Sequence, residues 1–372
     1  MSLYQLQQYW WIIISLLSGI FVFLMFVQGG QTFMKTLPQN EEEKKILINS
    51  LGRKWELTFT TLVMFGGAMF AAFPLFYATS FSGAYWLWLL ILFCFIIQAV
   101  SYEFRIKKGN FLGHKIYEGF LLINGCFGSF LIGIVVATFF NGSGFSLNQN
   151  NIVHWQSSMQ GLESIFNVFN LCLGASVLWL TRLLGLMYFI NNIENEKILE
   201  KAFRKLKFNT VLFLLFFLAF IFQLYLLKGY ETDSQFSIVF LEKNKYFHNL
   251  VQMPLIGFLF LTGIVLVISG LAISIFKKYK NGIWFSGIGT ILTVFALVAI
   301  TGLNHTAFYP SNFDLQSSLT IANSSSSKYT LAVMGYVTLI IPIVLIYIWY
   351  VWKKMDSKSI SGDEIKENSD TY

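Results

Sequence analysis

Glu56, Glu103 and Glu118 are the residues of this chain whose type and position could do chemistry: each is an acid at the edge of a long apolar run. A carboxylate at such an edge can relay protons, because partial loss of solvent raises its pKa toward neutrality. Glu56 is the most pointed case. It follows Arg53, Lys54 and Trp55 directly, within ~3 Å of Lys54 along a helix, and it heads the run "WELTFTTLVMFGGAMFAAFP". Trp55 would anchor that end at a membrane interface. Thr58, Thr60 and Thr61 could extend a water chain inward. The bland alternative for all three acids is an interfacial layer of ion pairs with Arg53, Lys54 and Arg105.

Other candidates are weaker. The four histidines, His114, His154, His248 and His305, avoid the centres of the apolar runs. His248 and His305 could meet as axial haem ligands, but interfacial polar roles are the simpler expectation. Glu163 and Arg182 share one run, 19 positions or ~28 Å apart. That separation lets them sit at opposite interfaces, with Arg182 snorkelling. The three cysteines, Cys94, Cys126 and Cys172, lie inside apolar runs without the spacing of a metal site or a disulfide framework. In the Glu56 run, Gly67 and Ala71 lie one turn apart, as do Ala68 and Ala72. With Gly66 and the closing Pro74 they form a small-residue face suited to close helix packing.

The elements that must position these residues are membrane helices. The 372 residues are 55% hydrophobic and only 12% charged, far below the quarter typical of soluble chains. Nine apolar runs are long enough to cross ~30 Å of hydrocarbon: 9–34, 55–79, 83–104, 117–140, 160–190, 208–228, 248–276, 283–308 and 329–352. Helices are the spanning form, since open strand edges go unsatisfied in lipid and β-barrel alternation is absent. The first run opens with Trp10 and Trp11, has no Lys or Arg before Lys35, and reads as a retained span rather than a signal peptide. The expected organisation is one transmembrane domain over 1–354 and a polar cytoplasmic tail over 355–372.

The net charge of +7 does not point to nucleic acid, because of where the cations sit. Of the 26 Lys and Arg, 21 fall on one side of the nine-span topology, 4 fall on the other, and Arg182 lies within a run. The richer side is expected to be cytoplasmic. That places the N-terminus outside and the C-terminus inside.

Two stretches carry a resemblance. "ILINSLGRKWE" followed by "GGAMFAAFPLFYATSFSGAY" resembles subunit II of cytochrome bd-type quinol oxidases, as does "SSLTIANSSSSKYTLAVMGYVTLIIPIVLIYIWYVWKKM" near the C-terminus. The matching positions are Asn49, Ser50, Trp55, Glu56, Gly66, Gly67, Ala68, Phe70, Ala71, Ala72, Pro74, Phe81, Ser82, Gly83 and Tyr85. "SYEFR" at the end of the third run is similar to the family's acid-aromatic-Arg ending.

The resemblance implies an all-α polytopic subunit with two four-helix bundles and a peripheral ninth helix, in a bacterial inner membrane. It implies a complex that oxidises membrane quinol and reduces dioxygen to water. Haems b and d belong to the partner, oxidase subunit I. This chain is expected to bind no haem or metal with confidence, with a structural quinone and a small accessory subunit as possibilities, and to touch the lipid bilayer. It also implies a cytoplasmic proton path through the acid after Trp, here Glu56. The family's D-G-F-D in the first span is "QGGQ" here, Gln28 to Gln31, and an amide binds water but does not titrate. An ion-coupled secondary transporter is the competing class; such proteins favour broken midplane helices, and no span here has a central Gly-Pro break with an acid beside it.

Overall fold

The structure is a computed structural model and describes residues 1–107, 109–233, 236 and 238–356. The tail expected over 355–372 lies outside the described residues from position 357 on. Among the described residues, nine helices are long and apolar enough to cross a membrane. They are α1 (Leu3–Gln31), α2 (Glu41–Ala72), α3 (Tyr85–Phe104), α4 (His114–Asn141), α5 (Val168–Asn192), α6 (Glu196–Leu226), α7 (Pro254–Lys277), α8 (Gly282–Gly302) and α9 (Lys328–Met355).

Local chemistry sets their ends. The Ser2 hydroxyl accepts from Gln5 N while Ser2 N donates to the Gln5 side chain, a reciprocal cap on α1. Asn40 caps α2 by accepting from Glu43 N at 2.8 Å, and Glu41, Glu42 and Glu43 fill the favourable first turn. Asn167 caps α5, so the fifth apolar run is not one helix. Glu163 sits before that cap in a short 3-10 turn, and only Arg182 is in the membrane helix. Pro254 opens α7 and cuts it from the short helix Lys245–Gln252. Gly142, at φ +78°, ends α4 where an added Cβ would come within 2.6 Å of the Pro310 carbonyl.

Burial sorts the helices. The first and fifth spans are 78% buried within the chain, the ninth only 11%. The first run is thus a core element of the fold, and α9 is lined mainly by outward apolar side chains. Close crossings use glycines other than those the spacing singled out. A Cβ on Gly289 of α8 would lie 2.6 Å from the Gly263 carbonyl of α7, and one on Gly133 of α4 would lie 2.6 Å from Gly174 of α5. Backbones approach this closely only where no side chain intervenes.

Two antiparallel hairpins lie outside the spans: β1 (Phe145–Leu147) with β2 (Val153–Trp155), and β3 (Gly229–Thr232) with β4 (Val239–Glu242). They were not legible in the sequence. The second carries an ion cluster in which Lys245 meets Glu231 at 3.1 Å and Glu242 at 3.3 Å. His248 Nδ1 contacts Glu242 at 2.7 Å. Its hydrogen bond with Glu231, then those with His248 and Lys245, hold the Glu242 carboxyl down at about 2 against the opposing effect of burial. His305 stacks on Phe236 at 4.9 Å.

Candidate functional site

The three acids do not form one layer of equivalent groups. Glu103 is exposed and pairs with Lys107 at 3.5 Å. Glu118 is buried, 4% exposed, with Arg105 Nη2 at 2.9 Å and Lys44 at 3.2 Å. Arg105 is itself buried, and its Nε and Nη1 have no hydrogen-bond partner among the described residues. Glu56 is exposed on the outer surface of α2.

Trp55 and Glu56 point opposite ways. Trp55 is buried and stacks on Tyr102 of α3, with centroids 5.7 Å apart and planes at 10°. It is therefore a packing residue rather than the interfacial anchor its position suggested. Just before it, Lys54 reaches Asp356 at 2.8 Å and covers Trp352, and Arg53 donates to the Met355 carbonyl. The C-terminal end of α9 is fastened there.

The expected threonine chain divides as well. Thr58 and Thr61 are buried and donate to the carbonyls of Leu24 and Leu57. Thr60 is exposed one turn beyond Glu56. The small residues split along the same line. Ala72 is wholly buried, Gly66, Ala68 and Ala71 are half-buried, and Gly67 and Pro74 are exposed. A Cβ on Gly67 would meet nothing within 4 Å, so among the described residues no helix packs on Gly67. The exposed residues Glu56, Thr60, Val63, Gly67, Phe70 and Pro74 advance by steps of four and three. That is the seam spacing of helices that pack along their length.

A second polar feature runs through the interior. Gln31 Nε2 donates to Tyr102 at 3.3 Å, and Gln28 Nε2 donates to Gln98 Oε1 at 2.8 Å. Gln98, Tyr102 and Arg105 recur at roughly one-turn spacing on or just beyond α3, so one face leads from the Arg105–Glu118 pair to the Gln28–Gln98 pair. Asn124 joins them from a π-helical turn in α4, where Gly125 abuts the Gln28 carbonyl. Gln28, Gln31, Gln98, Asn124 and Ser129 are all buried. Each keeps at least one side-chain N or O atom without a protein partner, and such atoms are sites for ordered water. The sequence flagged Gln28 and Gln31 only as departures. Gln98, Tyr102 and Asn124 were missed, and the available signal was a polar side chain inside an apolar run.

Gln28→Leu is expected to destabilise the chain by roughly 1–3 kcal/mol, because it strands the buried Gln98 amide. Thermal unfolding in detergent measures it. A shift within error would mean Gln98 is satisfied without Gln28.

The family model described as cytochrome bd terminal oxidase subunit II matches residues 6–355. The chain belongs to the cytochrome bd oxidase subunit II family. It is 27% identical over 365 residues to the cytochrome bd ubiquinol oxidase subunit 2 of Bacillus subtilis (strain 168), covering 94% of this chain and 96% of the relative. It is 25% identical to the cytochrome bd-I ubiquinol oxidase subunit 2 of Escherichia coli (strain K12), covering 97% and 96%. A chain from the structure of bd oxidase from Geobacillus thermodenitrificans has the same fold, with a TM-score of 0.59 at 13% identity, covering 94% of this chain and 96% of that one. As in those relatives, this subunit II is part of a quinol:oxygen oxidoreductase, and membership implies a subunit I partner.

Proposed function

We propose that this chain is the haem-free subunit of its oxidase, seated on subunit I through the outward seam of α2, with Glu56 at the mouth of a proton path between the two subunits. One observation carries the reading: a lengthwise helical seam that begins with an exposed acid and holds an open notch at Gly67. An ionisable side chain on a membrane helix is costly against lipid and marks a functional surface. A partner helix entering the notch would cover the seam and bring Glu56 and Thr60 into a confined, hydrated boundary. The cation asymmetry supports a cytoplasmic location for that end, where protons for water formation would enter. The haems and the site of quinol oxidation are assigned to subunit I. The interior column at Gln28 and Gln98 carries water but no titrating carboxylate at those positions. In this reading it complements the path without replacing Glu56.

Gly67→Leu tests the seat. Nothing among the described residues meets a side chain at Gly67, so the isolated subunit should fold normally. At a filled interface the added bulk costs ~1–3 kcal/mol, a roughly 5–150-fold loss in association. Native gels should show less assembled complex and a matching fall in haem co-purifying with this chain. Full assembly with normal haem content would remove the α2 seam from the interface.

A further inference from the structure

We propose that the cleft between α6 and α7 at the cation-rich face binds one anionic phospholipid, its phosphate held by Arg204, Lys207 and Lys278. The cleft has a volume of about 400 Å³ and is lined by these three cations together with apolar Leu199, Phe203 and Ile275. Its depth fits a headgroup. At 31 residues α6 is ~46 Å long, more than the ~20 residues that hydrocarbon requires. Counting 20 residues inward from Leu226 reaches Lys207, so Lys207 and Arg204 stand where the headgroups begin. Lys278 follows the last residue of α7 and closes the cleft from the other side.

The cations are available. Arg204, Lys207 and Lys278 are exposed, and among the described residues none of them forms an ion pair. Glu196 and Glu200 also line the cleft, but both precede Arg204 on α6 and so lie farther from the membrane. They leave the lipid side of the cleft positive. Basic clefts between membrane helices favour anionic headgroups, each cation near the surface adding to the attraction.

The surface below is suited to acyl chains. On α6, Phe208, Val211 and Leu215 point outward, and on α7 Phe276 is 84% exposed. Deeper, where these two helices meet α1, α5 and α8, lies a mainly apolar void of about 60 Å³, whose lining includes Leu214, Phe217, Ile264 and Ile268. A charged cleft above an apolar surface matches a molecule with a phosphate at one end and hydrocarbon at the other. A free anion lacks the hydrocarbon, and a zwitterionic lipid carries no net charge for the cation excess of Arg204, Lys207 and Lys278 to neutralise. The inference does not depend on the assignment of Glu56 or of the α2 seam.

The test uses the assembled complex, delipidated in mild detergent, and a variant carrying Arg204→Gln, Lys207→Gln and Lys278→Gln. All three positions are exposed, so folding should be unaffected. Phosphatidylglycerol added to the wild type should give a lipid adduct by native mass spectrometry and a raised Tm. Phosphatidylcholine and inorganic phosphate should give neither. The triple variant should bind phosphatidylglycerol on the order of tenfold or more weakly and lose the Tm gain. A control carrying Lys228→Gln and Lys243→Gln on the opposite face should behave as wild type. The proposal is overturned if the triple variant keeps the adduct and the Tm gain, or if inorganic phosphate reproduces that gain. Dissociation of the triple variant from subunit I would equally overturn it, by showing that a protein surface covers the cleft.

Discussion

Glu56→Gln is expected to slow quinol-driven oxygen consumption by the assembled complex roughly tenfold or more, while its haem spectrum stays normal. Gln keeps the shape and hydrogen bonding of Glu and loses only the titration. Positioned proton-transfer groups typically contribute 10²- to 10⁴-fold, and proton entry along the buried polar side chains at Gln28 and Gln98 would soften the loss. Glu56→Asp restores a carboxylate and should recover most of the rate. Glu56 is exposed, so its replacement should leave folding intact, and the intact haem spectrum controls for lost assembly. Equal turnover of Glu56→Gln and wild type across pH would reduce Glu56 to a surface polar residue and send protons elsewhere.

Arg105→Ala should cost roughly 3–5 kcal/mol of stability, because it leaves the Glu118 carboxylate buried without its nearest cation. Glu118 is 4% exposed and takes 2.9 Å and 3.2 Å contacts from Arg105 and Lys44. The surviving Lys44 contact places the loss toward the lower end of that range. An isolated surface pair would be worth only ~0–1 kcal/mol, so the size of the effect distinguishes a buried pair from an interfacial one. Replacing both partners, Arg105→Met with Glu118→Leu, removes the stranded charge and should recover much of the loss. Unfolding in detergent measures both variants. If Arg105→Ala unfolds within ~0.5 kcal/mol of wild type, the pair is solvated and behaves as a surface pair.

Glu103 shows why these two acids differ from the third. All three looked alike in the sequence, as lone carboxylates near cations at the ends of apolar runs. Glu103 points to solvent with Lys107 beside it, Glu118 points inward to Arg105, and Glu56 points outward along a seam. The direction of a side chain depends on the rotation of its helix against neighbours, and a hydropathy run does not encode that rotation. Trp55 makes the same point. Its place in sequence suited an interfacial anchor, yet it stacks on Tyr102, because helix rotation turns it toward α3.

The sequence by itself determined the membrane class, the nine spans, their approximate limits and the family. These follow from composition, run length and local order: ~20 apolar residues cross a bilayer whatever they touch. It also marked Glu56, the small residues after it and the Gln28–Gln31 departure. The tertiary structure alone decided which glycines close a helix crossing and which stay open. Gly263, Gly289, Gly133 and Gly174 meet backbone of this chain, whereas Gly67 meets nothing. It also brought Gln98 and Asn124 to Gln28, and Arg204 and Lys207 to Lys278, each across a separation of 70 residues or more. Burial and pairing in a bundle belong to contacts between helices, and such contacts form between residues whose spacing along the chain carries no period.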